Sequence, residues 1–351
     1  MEDNAEKSED DTPIKKILII RFSSIGDIVL TTPIIRCVKK KYPEAEIHYL
    51  TKQQNVAILQ NNPYVDKIFA LDAHASVFHS LIRELRTENY DFVVDLHKNL
   101  RSLRVILALK KPFASFPKLN FKKFLLVRFK KNLMPKVHIV DRYFKAVESL
   151  KVENDNKGLD YFLLEEDFIP NDALPLSFQN GYICIAVGSK HNTKQMPAEM
   201  IIRICQKING QILLIGDLND KPKANRIENA IGSRVFNACG SFSINQTAAL
   251  IENSLGIITP DTGAMHIASA LKKNIISVWG NTVKEFGMYP YLPKEVEERS
   301  LICEVEGLKC RPCSKLGYKK CPKKHFNCMR LQDIDKIVKR ANSWFEDNSE
   351  Y

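Results

Sequence analysis

Residues able to act on a phosphorylated substrate cluster in Pro260-Asp261-Thr262-Gly263-Ala264-Met265-His266, which joins the apolar run GIIT (256–259) to the helical pattern AMHIASAL (264–271). A strand that feeds straight into a helix leaves the first helical N–H groups free, and with the helix dipole they favour an anion. Gly263 lets the backbone approach a phosphate without a Cβ in the way. Thr262 offers a hydroxyl, and His266 lies about one turn further along the same side. A plain capped helix, with Asp261 or Thr262 as N-cap, uses the same residues. Near the start of the chain, Phe22-Ser23-Ser24-Ile25-Gly26-Asp27 also leads from an apolar run into a helical pattern. A carboxylate there can accept the proton of an attacking hydroxyl. It can equally cap the helix and complement its dipole.

Two further groups stand out by charge and by sulfur. From Leu96 to Val140 there are twelve Lys and Arg and no Asp or Glu, while outside it 40 basic residues face 41 acidic ones. The net charge of +11 is therefore local, and it points to an anionic partner or to a solvated basic face. Phe113, Phe116, Phe121, Phe124 and Phe129 are interleaved with it. The same composition suits nucleic acid, but no recognised nucleic-acid motif accompanies it. Of the nine cysteines, Cys303, Cys310, Cys313, Cys321 and Cys328 crowd together. Cys310-x2-Cys313-x7-Cys321-x6-Cys328 supplies four thiolates, the number for a structural zinc, although zinc ribbons show two close pairs and only one exists here. A thiol cluster or a disulfide is the alternative.

The elements that must position these groups follow from hydrophobic periodicity. KKILIIRF (15–22), AEIHYLT (45–51), KIFAL (67–71) and DFVVDL (91–96) are short apolar runs rich in β-branched residues, read as buried strands. Amphipathic stretches up to Lys41 and over 80–90 lie between them. The pattern restarts after LEEDFIPNDALPLSFQNG (164–181), with strands at 182–188, 211–216, 256–259 and 274–280 and helices at 198–208, 245–254 and 264–271. Alternation of this kind predicts an α/β chain of two doubly wound parallel sheets. The expected organisation is a disordered tail over 1–13, a first Rossmann-like domain over 14–165 and a linker over 166–180. A second Rossmann-like domain follows over 181–330, and a final helix over 331–351 is expected to cross back to the first domain. In such sheets ligands bind beyond the carboxyl ends of the strands.

A length of 351 residues suits two domains, and 44% apolar with 26% charged residues is a globular composition. No apolar run is long enough to span a bilayer, and the acidic start MEDNAEKSEDD is not a signal peptide. A cytoplasmic location with reduced thiols is the expectation. Neither half carries G-x-G-x-x-G and no Walker A sequence occurs, which argues against a dinucleotide enzyme or a P-loop nucleotidase.

The run Ile17 to Val29, the segment Asp95-Leu96-His97-Lys98-Asn99-Leu100-Arg101-Ser102 and the segment Asp261 to His266 occur in an order that resembles the heptosyltransferase family of lipopolysaccharide assembly, glycosyltransferase family 9. The resemblance runs from about Lys16 to about Val338. It implies a GT-B fold, two Rossmann-like domains facing across a cleft, and sugar transfer with inversion that needs no metal or other cofactor. By this resemblance Asp27 is the base that deprotonates the acceptor hydroxyl. Lys194, within Thr193-Lys194-Gln195-Met196-Pro197, neutralises the donor diphosphate. Asp261, Thr262, Gly263, Ala264 and His266 cradle it, with Asn281 and Thr282 in a neighbouring loop. The ribose partner falls on Asp217 or Asp220, and Met196 replaces an aromatic residue frequent in the family, so the nucleoside stays open. Ser24, Gly26, Arg101, Arg104, Lys122, Lys123 and Arg128 are expected on the acceptor side.

The implied partners are a nucleotide-diphospho-sugar, ADP-heptose, an anionic glycolipid acceptor and the cytoplasmic face of the inner membrane, with no nucleic acid. Charge building on a departing diphosphate is offset by a lysine and a helix N-terminus, in agreement with the residue-level reading. His138, in His138-Ile139-Val140-Asp141-Arg142-Tyr143, opens a short helix and is read as structural. A nucleotide-sugar epimerase of the same architecture and a non-catalytic basic binding protein are the competing readings.

Overall fold

The computed structural model describes residues 13–72 and 75–349, so residues 1–12 of the expected tail lie outside the described residues. The first unit runs β1 (Lys16–Ile20), α1 (Ile25–Val29), α2 (Thr32–Lys41), β2 (Glu46–Lys52), β3 (Lys67–Leu71), α3 (Ala75–Thr87), β4 (Phe92–Asp95), α4 (Leu100–Leu109), β5 (Phe113–Ser115), α5 (Asn120–Phe129) and α6 (Ile139–Phe144). The second runs β6 (Tyr182–Ala186), α7 (Ala198–Lys207), β7 (Gln211–Ile215), α8 (Lys221–Ile231), β8 (Val235–Asn237), α9 (Ile244–Asn253) and β9 (Gly256–Pro260). It continues with α10 (Gly263–Ala270), β10 (Asn274–Trp279), β11 (Ser300–Glu304), α11 (Asn327–Arg330) and α12 (Ile334–Ser349). Short turns of 3-10 helix fill 165–178, where Phe178 packs on Tyr182 and Phe236.

Both sheets are wholly parallel, in the orders β3-β2-β1-β4-β5 and β11-β10-β9-β6-β7-β8. Helices cover both faces, which is why β6 is buried at every residue and β1 at all but its first. Strand order reverses between β1 and β4 and again between β6 and β9. A crevice opens at such a point because successive crossovers leave in opposite directions. The loops after β1 and β9 carry Asp27 and Thr262, and both fall at these switch points.

The two units are packed together. Ile28, Val29 and Ile35 of the first share one apolar cluster with Ala248, Met265 and Ala268 of the second. The chain between β10 and β11 reaches across: Ile139 N–H donates to Gly287 O at 2.7 Å, Arg142 Nη2 to Phe286 O at 2.6 Å and Tyr291 OH to Asp141 Oδ1 at 2.9 Å. His138 caps α6 by accepting from Val140 N–H, and its Nε2 pairs with Tyr289 O at 2.9 Å. Burial pushes its pKa down to about 3, so it stays a neutral, structural group.

The final helix departs from expectation. α12 packs against α7 and the β9 and β10 strands of the second sheet. Its Trp344 ring lies on Gly256 and its Phe345 ring on Gly210, where any Cβ would collide with them. Apolar surface on its own sheet, left open by these two glycines, holds it there and no crossing back is needed.

Candidate active site

α1 begins with Ser24 in extended backbone as its N-cap and Asp27 at the third helical position. Asp27 reaches back to the cap, its Oδ2 accepting from Ser24 N–H at 3.0 Å and Ser24 Oγ at 2.6 Å. Its Oδ1 pairs with Arg21 Nη2 at 2.5 Å. Arg21 is itself fixed by donating to Ser23 O and Leu96 O. Burial pushes the Asp27 carboxyl up, but Arg21 and Ser24 outweigh it and hold the pKa below the usual carboxylate range. The side chain keeps 20% exposure, so this ionised, oriented carboxylate caps its helix and still faces open space. Capping does not exclude chemistry, because Ser24 takes both acceptor sites of Oδ2 while Oδ1, paired with Arg21, keeps a second lone pair.

Across the crevice, α10 starts directly after β9. Its N-cap, Thr262, makes no side-chain capping bond; the hydroxyl pairs with Thr259 Oγ1 at 3.0 Å. The first N–H groups of α10 are therefore left without a side-chain cap, as an anion site requires. Lys194 Nζ pairs with Asp261 Oδ2 at 2.6 Å, and Thr282 Oγ1 donates to the same oxygen at 2.9 Å. Lys194, Asp261, Thr262 and Thr282 thus stand together beside that helix start.

Gly26 and Gly263 bring the two sides into contact. A Cβ on Gly26 would lie 2.4 Å from His266 Cδ2, and one on Gly263 would lie 2.9 Å from Ile25 Cγ2. His266 is buried, its Nδ1 has no hydrogen-bond partner, and burial outweighs the pull of Asp261 and Asp27 to bring its pKa down to about 4. At neutral pH it is an uncharged imidazole wedged between the two units, able to offer a hydrogen bond but no positive charge.

The remaining expected residues divide. Ala264 follows Gly263 in the first turn of α10. Asp217 is exposed and caps the turn after β7, accepting from Asn219 N–H, while Asp220 turns inward and sits where a Cβ on Gly188 would fall. Asn281 donates to Ser314 Oγ and accepts at its carbonyl from Cys313 N–H, which ties it to the cysteine segment. Of the basic residues, Lys123 lies near Phe286 of the second unit, 5.9 Å from its ring centre. Burial and Arg142 push Lys123 down to about 8 against the pull of Asp27. Arg101 is exposed, Arg104 lies over Phe78 of α3 and Arg128 over Phe129, and Lys122 is half-buried. Lys123 is the member of this group that senses Asp27.

Arg21, His97 and Lys118 belong to the surroundings of Asp27: the first two lie within segments that carry the family resemblance and Lys118 within the basic stretch, but nothing in the sequence marks them as neighbours of Asp27. Lys118 donates to Lys98 O at 2.8 Å, and burial and Arg21 lower its pKa. Asp95 is structural: its carboxylate accepts from His97 N–H, Lys98 N–H and Ser102 Oγ and shapes the turn into α4.

The cysteines are free thiols. Cys310 Sγ lies 3.9 Å from His325 Nε2, and Cys313 Sγ lies 3.1 Å from Cys310 O. Among the described residues, the only group of three metal-ligating atoms within 4.8 Å of one another is Glu46, His48 and Glu88, so Cys310, Cys313, Cys321 and Cys328 do not form a zinc tetrahedron here. The Glu46–His48–Glu88 carboxylates are occupied by Lys16 and Lys67. The cysteine segment instead braces the crevice: Thr193 and Tyr318 exchange three hydrogen bonds, and Arg311 donates to Thr282 O.

Residues 78–318 match the profile of glycosyltransferase family 9 (heptosyltransferase). The chain belongs to glycosyltransferase family 9. It is a glycosyltransferase of GT-B fold, within the heptosyltransferases of lipopolysaccharide core assembly. Over 288 residues it is 27% identical to lipopolysaccharide heptosyltransferase 1 of Campylobacter coli, covering 76% of this chain and 84% of that protein. It is 24% identical to lipopolysaccharide heptosyltransferase 3 of Escherichia coli K12, over 73% of this chain and 80% of that one. The solved family 9 glycosyltransferase of Veillonella parvula superposes with a TM-score of 0.75 at 20% identity, over 95% of this chain and 98% of that one. The E. coli heptosyltransferase WaaC with ADP superposes at 0.67 and 18% identity, over 95% and 99%. No helix among the described residues is long and apolar enough to cross a membrane.

Proposed function

We propose that this glycosyltransferase moves a heptose from ADP-heptose to a hydroxyl of an acidic lipopolysaccharide core acceptor, with inversion, at the cytoplasmic face of the inner membrane as a peripheral protein. The observation that carries the reading is the juxtaposition of the Asp27 loop and the α10 start across the Gly26–His266 contact. The solved E. coli relatives named with ADP and ADP-heptose support the donor.

In this reading Asp27 accepts the acceptor hydroxyl proton as that oxygen bonds to the sugar's anomeric carbon. The bond from that carbon to the diphosphate breaks on the opposite face, and the nucleoside diphosphate leaves with the electron pair. Arg21 and Ser24 keep Asp27 ionised and aimed, at some cost in basicity. Lys194 exchanges its partner Asp261 for the diphosphate, and the N–H groups at Thr262, Gly263 and Ala264 with His266 take up the growing charge. Thr282 retains Asp261 when the lysine leaves it, while Asn281 keeps the adjoining loop in place. Asp217 stands nearest solvent at the nucleoside end. Lys123, with Ser24 and Gly26, lies on the acceptor side, and Arg101, Arg104, Lys122 and Arg128 form a more distant basic surface.

The test is transfer from ADP-heptose to a deacylated core acceptor by Asp27→Asn beside the wild type. Loss of general-base catalysis lowers kcat by about 10²- to 10⁴-fold while donor affinity is retained. Donor turnover without any acceptor would instead favour an epimerase, and a fully active Asp27→Asn would refute the assignment of the base.

A further inference from the structure

Nine of the seventeen large apolar side chains exposed among the described residues fall between Leu100 and Val137, inside the stretch that has no acidic residue. Scattered apolar side chains need no explanation, but a concentration of them does. On α4, Leu100, Leu103 and Leu107 follow helical spacing along one exposed face, and on α5 Phe121 and Phe124 do the same. Leu107 is 65% exposed, Phe121 71% and Phe129 64%.

α5 cannot roll to hide these rings. Its other face is engaged with the second unit, Leu126 packing with Val283 and Phe286. At its C-terminal end Lys130 Nζ donates to Cys310 O at 3.2 Å and Pro312 O at 2.6 Å. The helix is a strap between the two units whose outward side is held apolar. Lys122, Arg128 and Lys131 are interspersed with these rings along the chain, and the Arg128 guanidinium lies over the Phe129 ring. Aromatic rings projecting between flexible cations match the headgroup boundary of an anionic bilayer, the rings entering the acyl region while the cations meet phosphates.

We infer that the outer faces of α4 and α5 are the docking surface of this glycosyltransferase on an anionic lipid bilayer, and that docking holds the mouth of the crevice against the lipid. This rests on the proposed reading that the acceptor is membrane-borne. The chain enters α4 and α5 from the carboxyl ends of β4 and β5, the same rim of the sheet on which Asp27 stands, so the starts of both helices lie at that rim. A protein partner of unknown kind would have no need for a stretch free of acidic groups. Nucleic acid would have no use for the leucines of α4.

The test is flotation of the full-length protein with vesicles of equal phosphatidylglycerol and phosphatidylcholine, and with phosphatidylcholine alone. Wild type is compared with the combined variant Phe121→Ser, Phe124→Ser, Phe129→Ser and with Leu103→Ser, Leu107→Ser. Wild type is expected to float with the anionic vesicles only. Burial of a phenylalanine is worth enough that the triple variant should bind at least roughly a hundred-fold more weakly. Transfer to a deacylated, water-soluble acceptor should be unchanged in both variants, which also shows that they fold, whereas transfer to a vesicle-embedded acceptor should fall. Absence of flotation with anionic vesicles overturns the inference. So does a triple variant that floats like wild type, or preference for an oligonucleotide over the anionic vesicles. If vesicle binding behaves as expected but no acceptor is glycosylated by the wild type, the docking surface stands and the transferase reading of the acceptor fails instead.

Discussion

Replacement of Gly26 by alanine isolates the approach of the two units from their chemistry. Gly26 lies inside α1 with ordinary helical backbone, so alanine suits the helix itself better by up to about 1 kcal/mol. The added methyl, however, would sit 2.4 Å from His266 Cδ2 and 3.3 Å from Gly263 Cα. Contacts between carbons are comfortable near ~3.5–4.0 Å, so the imidazole or the whole crevice must give by roughly 1 Å. His266 is buried and has little room, which shifts the burden to the spacing of the two units. Overpacking of this kind costs about 1–3 kcal/mol, and a 1 Å displacement of reacting groups costs on the order of 10²-fold in rate. Steady-state transfer kinetics of Gly26→Ala should therefore show kcat/KM reduced by about that factor, with nucleotide affinity far less affected. A parallel melting measurement with Gly26→Ala, His266→Ala and the double variant should give a double-variant loss smaller than the sum, because the second change removes the clash. Unaltered kcat/KM, or strictly additive stability losses, would refute the claim that this contact sets the crevice width.

Three other expectations follow from particular contacts. Lys194→Ala should raise the donor KM and lower kcat/KM by about 10²- to 10³-fold, read from initial rates at varied ADP-heptose, because the leaving diphosphate loses its nearest lysine. His138 is depressed to about 3 in the folded protein, whereas an unfolded histidine titrates near ~6.5. The unfolded chain thus binds the proton first, and stability falls as pH drops from about 6.5 towards the folded value, by up to ~1.4 kcal/mol per pH unit for this group. His138→Asn, which retains an acceptor for the α6 cap, should flatten the dependence of denaturation free energy on pH by up to one proton in that window; an unchanged slope would exclude His138 as its source. Gly188→Ala places a Cβ 1.7 Å from Asp220 Oδ2 and should lower the melting temperature sharply, with partial recovery when Asp220→Gly is added. Failure of the second change to rescue would show that the crowding lies elsewhere.

Much of the architecture was legible because burial of a parallel sheet demands it. The apolar cores of KKILIIRF and YICIAVG became β1 and β6, central in their sheets and buried, since a strand covered on both faces has no polar positions to fill. The basic stretch was harder. It contains α4, β5 and α5, but no Asp or Glu marks a helix start, and α5 is apolar on two sides, so periodicity gives little signal. The final helix was legible as a helix but not as to its destination, because Trp344 and Phe345 find their seats only where Gly256 and Gly210 leave room.

The sequence by itself determined which residues stand at strand ends, since a turn residue after an apolar run is a local fact of the chain. Asp27 and the Asp261–His266 segment were identifiable on those terms, and Lys194 only through the family resemblance. Tertiary structure alone decided who meets whom. It put Arg21 on Asp27, set His266 against Gly26 across more than two hundred residues of chain, and left Arg104 and Arg128 outside the crevice while drawing Lys123 towards it. Those pairings depend on strand order and on how two units pack, neither of which is encoded in any short segment.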